Sequence, residues 1–191
     1  MKYLILMLAA LLIGTPAAAG VQYGTIGGFM IWMDDDDPKA PECLMARQYD
    51  GPGDSRLLIS TLYDEASGLS NDGLIVGVMN RDWSIVDGRT YPDLRMLTDN
   101  ISYGGEGGRG IISDDLKGFS MQFNIDALTQ IARTTSLMFM RGNTVVDHFN
   151  MTGSAAAVAS FRRCMRDRAA RITRDRASNP YSHIERDPFS R

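Results

Sequence analysis

From residue 20 onward the chain alternates apolar and polar residues in short runs cut by Gly, Asp, Asn and Pro. Period-two alternation with that punctuation predicts antiparallel strands. GFMIWM (28–33), CLMARQY (43–49), RLLISTLYD (56–64) and GLIVGVMN (73–80) each fit. So does GFSMQFN (118–124), which places Phe119, Met121 and Phe123 on one face. DWSIVDG predicts a short strand and a turn, and RTYPDLRMLTD (89–99) a further strand. Proline cannot donate to a strand ladder, so Pro92 marks a sheet edge or a strand's first residues.

Two segments change period. In NIDALTQIARTT, Asn124 reads as a helix cap, Asp126 suits the positive helix end, and Ile125, Leu128 and Ile131/Ala132 form a stripe. SLMFMRGNTVVDHFN (136–150) reads as a hairpin turning at Arg141-Gly-Asn. Thr152-Gly-Ser154 then opens a final helix whose Val158, Phe161, Met165 and Ile172 share one face, with Cys164 at its border. Small Ala155 to Ala157 would let its first turns sit close on the sheet. The expected fold is α+β: one antiparallel sheet of about seven strands covered by two helices. Past Arg174 the apolar period fades among charges and prolines, so 20–173 reads as one domain and 174–191 as a disordered basic tail.

The first residues, MKYLILMLAALLIGTPAAAG, combine Lys2, an apolar run from Tyr3 to Ile13, a break at Gly14 and Pro16, and a small-residue cleavage pattern at Ala17–Ala19. That run is shorter than the roughly 20 residues a membrane-spanning helix needs, and the layout is that of a secretory signal peptide over 1–19. An exported chain with two cysteines and none left over most simply forms one disulfide, Cys43–Cys164. Neither cysteine has a metal ligand at a zinc spacing, and the chain has only His148 and His183 as histidine partners. The expected location is the bacterial periplasm or the outside of the cell. Charge is uneven: residues 20–161 carry nineteen acids against ten bases, and residues 162–191 carry nine arginines against four acids.

The motifs GFSMQFNIDALTQIA and SLMFMRGNTVVDHFNMTGSAAAVASF, followed by Cys164, run strand, capped helix, hairpin, small-residue turn and final helix. This layout resembles the invasion-associated locus B family and other exported proteobacterial domains, which end in a hairpin strand, a Gly-Phe or Gly-Ser turn and an Ala-rich helix. The resemblance implies an exported bacterial α+β domain and carries over no catalytic residues. The closely spaced cysteine pair typical of that family before the first helix is absent here, since GFSMQFN has none.

No stretch carries a specific catalytic signature. Asp34–Asp37 offers carboxylates to calcium but lacks the EF-hand spacing, and reads as a solvated loop. Met138 and Met140 place two thioethers on one strand face, which suits Cu(I) but also ordinary packing. Asp147 and His148 are strand neighbours pointing to opposite faces, so Asp147 does not orient the His148 ring, and no G-x-S-x-G or H-E-x-x-H motif occurs. GGEGGRG (104–110) lacks the Gly-Lys-Ser/Thr ending of a phosphate loop and reads as a mobile hairpin loop able to touch a partner. Asn100 and Asn150 open glycosylation sequons, which a bacterial signal makes coincidental. The arginines of RRCMRDRAARITRDR lack interleaved aromatics, so nucleic acid is not an expected partner, and Arg166, Asp167, Arg168 and Arg171 are placed to pair with one another on a solvated face. Weak contact of this end with anionic lipid or polymer is compatible with its charge.

These readings favour an exported envelope module that binds or supports a protein or envelope component, without catalysis and without a cofactor or metal. Candidate contact residues are Trp83, Gly105, Glu106 and Arg109. The alternatives are a periplasmic hydrolase using an Asp/Glu pair and a methionine-based copper-handling protein.

Overall fold

A computed structural model describes residues 20–34, 42–61, 73–104 and 107–178, with the side chain of residue 176 excepted. The signal segment, residues 35–37 of the aspartate run, Gly105, Glu106 and residues 179–191 of the expected tail lie outside the described residues.

The alternation seen in the sequence becomes twelve strands in two antiparallel sheets among the described residues, in place of the single seven-stranded sheet expected. The larger sheet contains β1 (Gly20–Ile26), β2 (Phe29–Asp34), β3 (Glu42–Gln48), β4 (Arg56–Thr61), β5 (Gly73–Asn80), β6 (Thr90–Tyr91), β9 (Gly108–Ser113) and β10 (Leu116–Asn124). Its spatial order is β1-β2-β3-β4-β5-β10-β9-β6. The smaller sheet runs β12 (Thr144–Asn150), β11 (Ser136–Arg141), β7 (Leu94–Thr98), β8 (Ser102–Tyr103). Helix α1 spans Ala127–Arg133 and α2 spans Ser154–Ser178. One continuous core joins both sheets to both helices, so the α+β class expected from the sequence is the observed one.

The inward set follows the pleat. Phe29, Ile31 and Met33, then Cys43 and Met45, then Leu57 and Ile59, then Leu74, Val76 and Val78 are buried on one face of the large sheet. Helix α2 packs across β1, β2 and β3 on that face, presenting Ala157, Val158, Phe161, Cys164 and Met165. The Cys43–Cys164 disulfide joins it to β3, with Cα atoms 6.0 Å apart.

Several local readings are corrected. The run 89–99 is two strands, because the turn at Pro92–Asp93 passes the chain from the large sheet to the small one. The Asp93 carbonyl accepts from Gly142 N and its carboxylate pairs with Arg141, fixing that crossing. DWSIVDG forms no strand; it is a loop whose Val86 carbonyl lies where a side chain at position 110 would sit. The glycine loop is partly strand: Gly108 and Gly110 belong to β9 and are small because Leu94 and Val86 press against them. Asn124 accepts from Asp126 N as a turn residue, and the helix starts after Asp126.

Helix α2 also departs from expectation. Of the three alanines only Ala157 is buried; the close approach is made by Gly153, on the turn before the helix. A Cβ there would lie 2.6 Å from the Gly27 Cα, and both glycines have positive φ, +89° and +59°. The basic face is not wholly solvated, since Arg168 is fully buried, and Asp167 accepts from the Tyr23 hydroxyl at 2.8 Å. The expected boundary at 173 falls inside the helix, which runs on to Ser178; Arg and Ala propagate a helix without needing an apolar stripe.

Two stability outcomes follow. Gly153→Ala should lower the denaturation midpoint by far more than Gly142→Ala. The latter meets nothing within 4 Å and carries only the left-handed cost of about 1–2 kcal/mol. Replacing both cysteines by alanine releases a 121-residue separation in the unfolded chain, so urea denaturation should register a loss of about 5 kcal/mol in the chain-entropy limit. An unchanged midpoint would remove the bridge from the list of forces holding α2.

Candidate functional site

At one opening between the sheets, the end of β3, the turn before β4, the end of β5 and strand β12 converge on an open cleft of about 500 Å³. Tyr49 and Trp83 supply its aromatic walls, and Asp50, Ser55, Asn80 and Asp147 much of its polar surface. A second cleft of about 320 Å³ adjoins it, lined by Ile85, Tyr91, Leu94, Phe119 and Arg141 among others. Trp83 and Val146 belong to both, so the indole stands as a shared partition.

Each wall is held from behind. Trp83 lies parallel to Phe119, with ring centroids 5.6 Å apart. Phe119 meets Phe139 edge-on at 5.6 Å, Phe139 meets Phe149 at 5.9 Å, and Phe149 meets Tyr49 at 4.8 Å. An unbroken chain of five rings therefore runs from one wall through the core to the other. The Arg47 guanidinium then caps the Tyr49 ring at 4.7 Å. Such edge-to-face and offset contacts contribute beyond simple burial, about 0.5–1.5 kcal/mol each.

A polar floor ties the sheets together. Ser55 Oγ donates to Asp147 Oδ2 at 2.5 Å, and Asn80 Nδ2 donates to both Ser55 Oγ and the Pro52 carbonyl at 2.9 Å. The Asn80 carbonyl oxygen accepts from Asp82 N at 2.8 Å, which fixes the loop leading to Trp83. Asp147 Oδ1 accepts the His148 peptide N–H at 2.8 Å, so its two oxygens serve the backbone and Ser55. The His148 ring turns the other way, with Nε2 at 2.7 Å from Ser136 Oγ, as expected of neighbours on opposite strand faces.

Of the contact residues read from the sequence, Trp83 is at the centre of this region. Arg109 is an exposed residue of β9 and lines neither cleft. Gly105 and Glu106 lie outside the described residues. Met138 and Met140 are half-buried on the outer face of β11, where Met138 sits opposite Leu97 and His148. Sequence reading missed Tyr49, Ser55, Asn80 and Asp147 as a set. Tyr49 and Ser55 flank the turn between β3 and β4, Asn80 ends β5 and Asp147 lies within β12, and only the burial of Ser55 and Asn80 sets them apart from ordinary turn residues.

Burial pushes the Tyr49 phenol up to about 12, with its hydroxyl donating to the Asn150 carbonyl at 3.0 Å. The folded value lies above the unfolded one near 10, so the phenol's contribution is complete below pH 10 and is lost as pH rises through about 12. Stability should therefore fall between pH 10 and 12, and Tyr49→Phe should flatten that fall; Tyr23, also raised to about 12, provides the comparison variant. A Tyr49→Phe protein whose alkaline loss matches the parent's would contradict the assignment.

No protein-family model and no curated protein matches the sequence. Among solved structures, the fold is similar to that in the crystal structure of invasion-associated protein B from Bartonella henselae. The TM-score is 0.52 at 10% sequence identity, covering 76% of this chain and 99% of that one. The resemblance read from the C-terminal motifs is thus a likeness of fold.

Proposed function

We propose that this chain is an exported envelope module that binds a partner at the Trp83 clefts and has no catalytic centre. The observation that carries this reading is a part-exposed tryptophan, braced by Phe119 and shared by two adjoining clefts. Large aromatic side chains on well-supported concave surfaces are where binding energy concentrates. The leader-like first residues and the disulfide support export, and the fold likeness to an invasion-associated protein is compatible with it.

The hydrolase alternative draws less support. Asp50 and Asp147 share the first cleft, but that cleft is open, and Asp147 is occupied in joining the two sheets through Ser55. General acid–base work wants a carboxyl group positioned on substrate in a site that excludes water.

A photo-crosslinking amino acid placed at Ser84, on the second cleft, should form light-dependent adducts when the mature protein is mixed with envelope extract from its own cell. The same group at Gln22, on the far edge strand, should not. Trp83→Ala should suppress the Ser84 adducts. Equal labelling at both positions, or none at Ser84, would end this reading.

A further inference from the structure

We infer that the paired clefts take an amphiphilic cation: an alkylammonium group in the first cleft, with its apolar stem laid across Trp83 into the second. The inference rests on the reading of these clefts as the binding site and names the chemistry of what they hold.

The shape of the site gives the two halves of the ligand. The first cleft joins an aromatic wall to hydrogen-bonding groups, and the second is walled by Ile85, Leu94, Phe119 and Val146. A stem of four to six methylenes suits that apolar wall, as lysine stems do on protein surfaces. The partition between the halves is an indole, the strongest of the aromatic side chains for attracting a cation to its face. Phe119 stacks along the ring, leaving the remaining exposed part of the indole to the ligand.

The sign of the field gives the charge. Asp50 and Asp147 line the first cleft and Asp82 the second. Arg141 is the guanidinium among the lining residues, tied to Asp93 at 3.2 Å and over the Tyr91 ring at 5.3 Å. Arg47 lies over the Tyr49 wall at 4.7 Å with its donors on the Gly27 and Thr152 carbonyls, and the His148 ring, also at the first cleft, is engaged with Ser136. An anionic ligand would therefore meet net repulsion. A neutral polyol could use the hydrogen-bonding groups, yet it would leave these carboxylates without a counter-charge and the apolar wall unfilled. Asp147 is already fixed by Ser55 and the His148 N–H, so binding need not order it.

Two sources share this chemistry: a lysine side chain flanked by apolar residues in a partner peptide, and a free alkylamine or polyamine. The test uses the oxidised mature chain carrying Trp32→Phe, which leaves Trp83 as the single indole reporter. Hexylammonium, hexanoate, hexanol and acetyl-Leu-Lys-Leu-amide are titrated while its emission is followed. A saturable shift is expected with hexylammonium, with the peptide or with both; saturation by the peptide alone assigns the source to a protein partner. Hexanoate should give none. Asp50→Asn, on an exposed turn, should weaken binding roughly three- to tenfold, and added salt should weaken it further. Equal binding of hexanoate or hexanol, an unchanged affinity in Asp50→Asn, or no saturable shift with either cation would overturn the inference. If the Ser84 adducts persist while both cations fail, the ligand class is wrong and the site reading stands. Loss of the adducts removes the site reading itself.

Discussion

Everything in this molecule depends on how closely α2 can approach the first hairpin. Gly27 and Gly153 meet backbone to backbone, at a separation no side chain permits. Arg47 spans the same junction, donating to the Gly27 carbonyl at 3.2 Å and the Thr152 carbonyl at 3.1 Å. Those carbonyls belong to tight turns and would otherwise want partners of their own. Its guanidinium also lies over the Phe29 and Tyr49 rings. One side chain thus closes the helix junction and begins the aromatic chain that ends at Trp83. The clamp and the candidate site are mechanically continuous.

That continuity explains why an open cleft can be well formed. Loops alone define few positions, but here each wall is the end of a packed stack and the floor is a hydrogen-bonded network. Asn80, Ser55 and Asp147 link the large sheet to the small one at an edge where apolar contact gives out. A polar network in such a place is worthwhile only when its members are satisfied. The turn before Ser55 shows the constraint: Gly53 has φ of +72°, and a Cβ there would fall 2.0 Å from the Asn80 Oδ1. Glycine is required at that position by space as well as by conformation.

The parts legible in the sequence are those written in side-chain periodicity. Alternation located β2, β3, β4, β5 and β10, and the helical stripe of Val158, Phe161 and Met165 named the buried face of α2. β1, an edge strand, and β9, flanked by β10 and the two-residue β6, escaped because backbone pairing recruits them more than side-chain alternation does. GVQYGTI carries two glycines and a register shift between Gln22 and Gly24, and Gly108 and Gly110 hide β9 inside a glycine-rich stretch. The division into two sheets was hidden for a related reason, since a single turn at Pro92–Asp93 moves the chain from one to the other. At the candidate site, the indole was visible because it is a large aromatic set among charged residues, directly after Arg81 and Asp82. The residues that give it context come together only through strand register, which no local pattern encodes.

The two ends of the fold are secured by different means, and the difference has a physical logic. Away from the clefts, β3 and α2 share the disulfide and a charged contact. Glu42 precedes Cys43, and Arg168 lies one helical turn beyond Cys164. Burial, with Asp34 nearby, raises the Glu42 carboxyl above its ordinary value, and the attraction of Arg168 only partly opposes this. The covalent bridge beside this contact supplies a constraint that does not depend on charge. At the clefts no covalent bond intervenes; rings and hydrogen bonds hold the walls. The domain is thus held by a covalent constraint at the helix and by ring stacking and hydrogen bonds around Trp83.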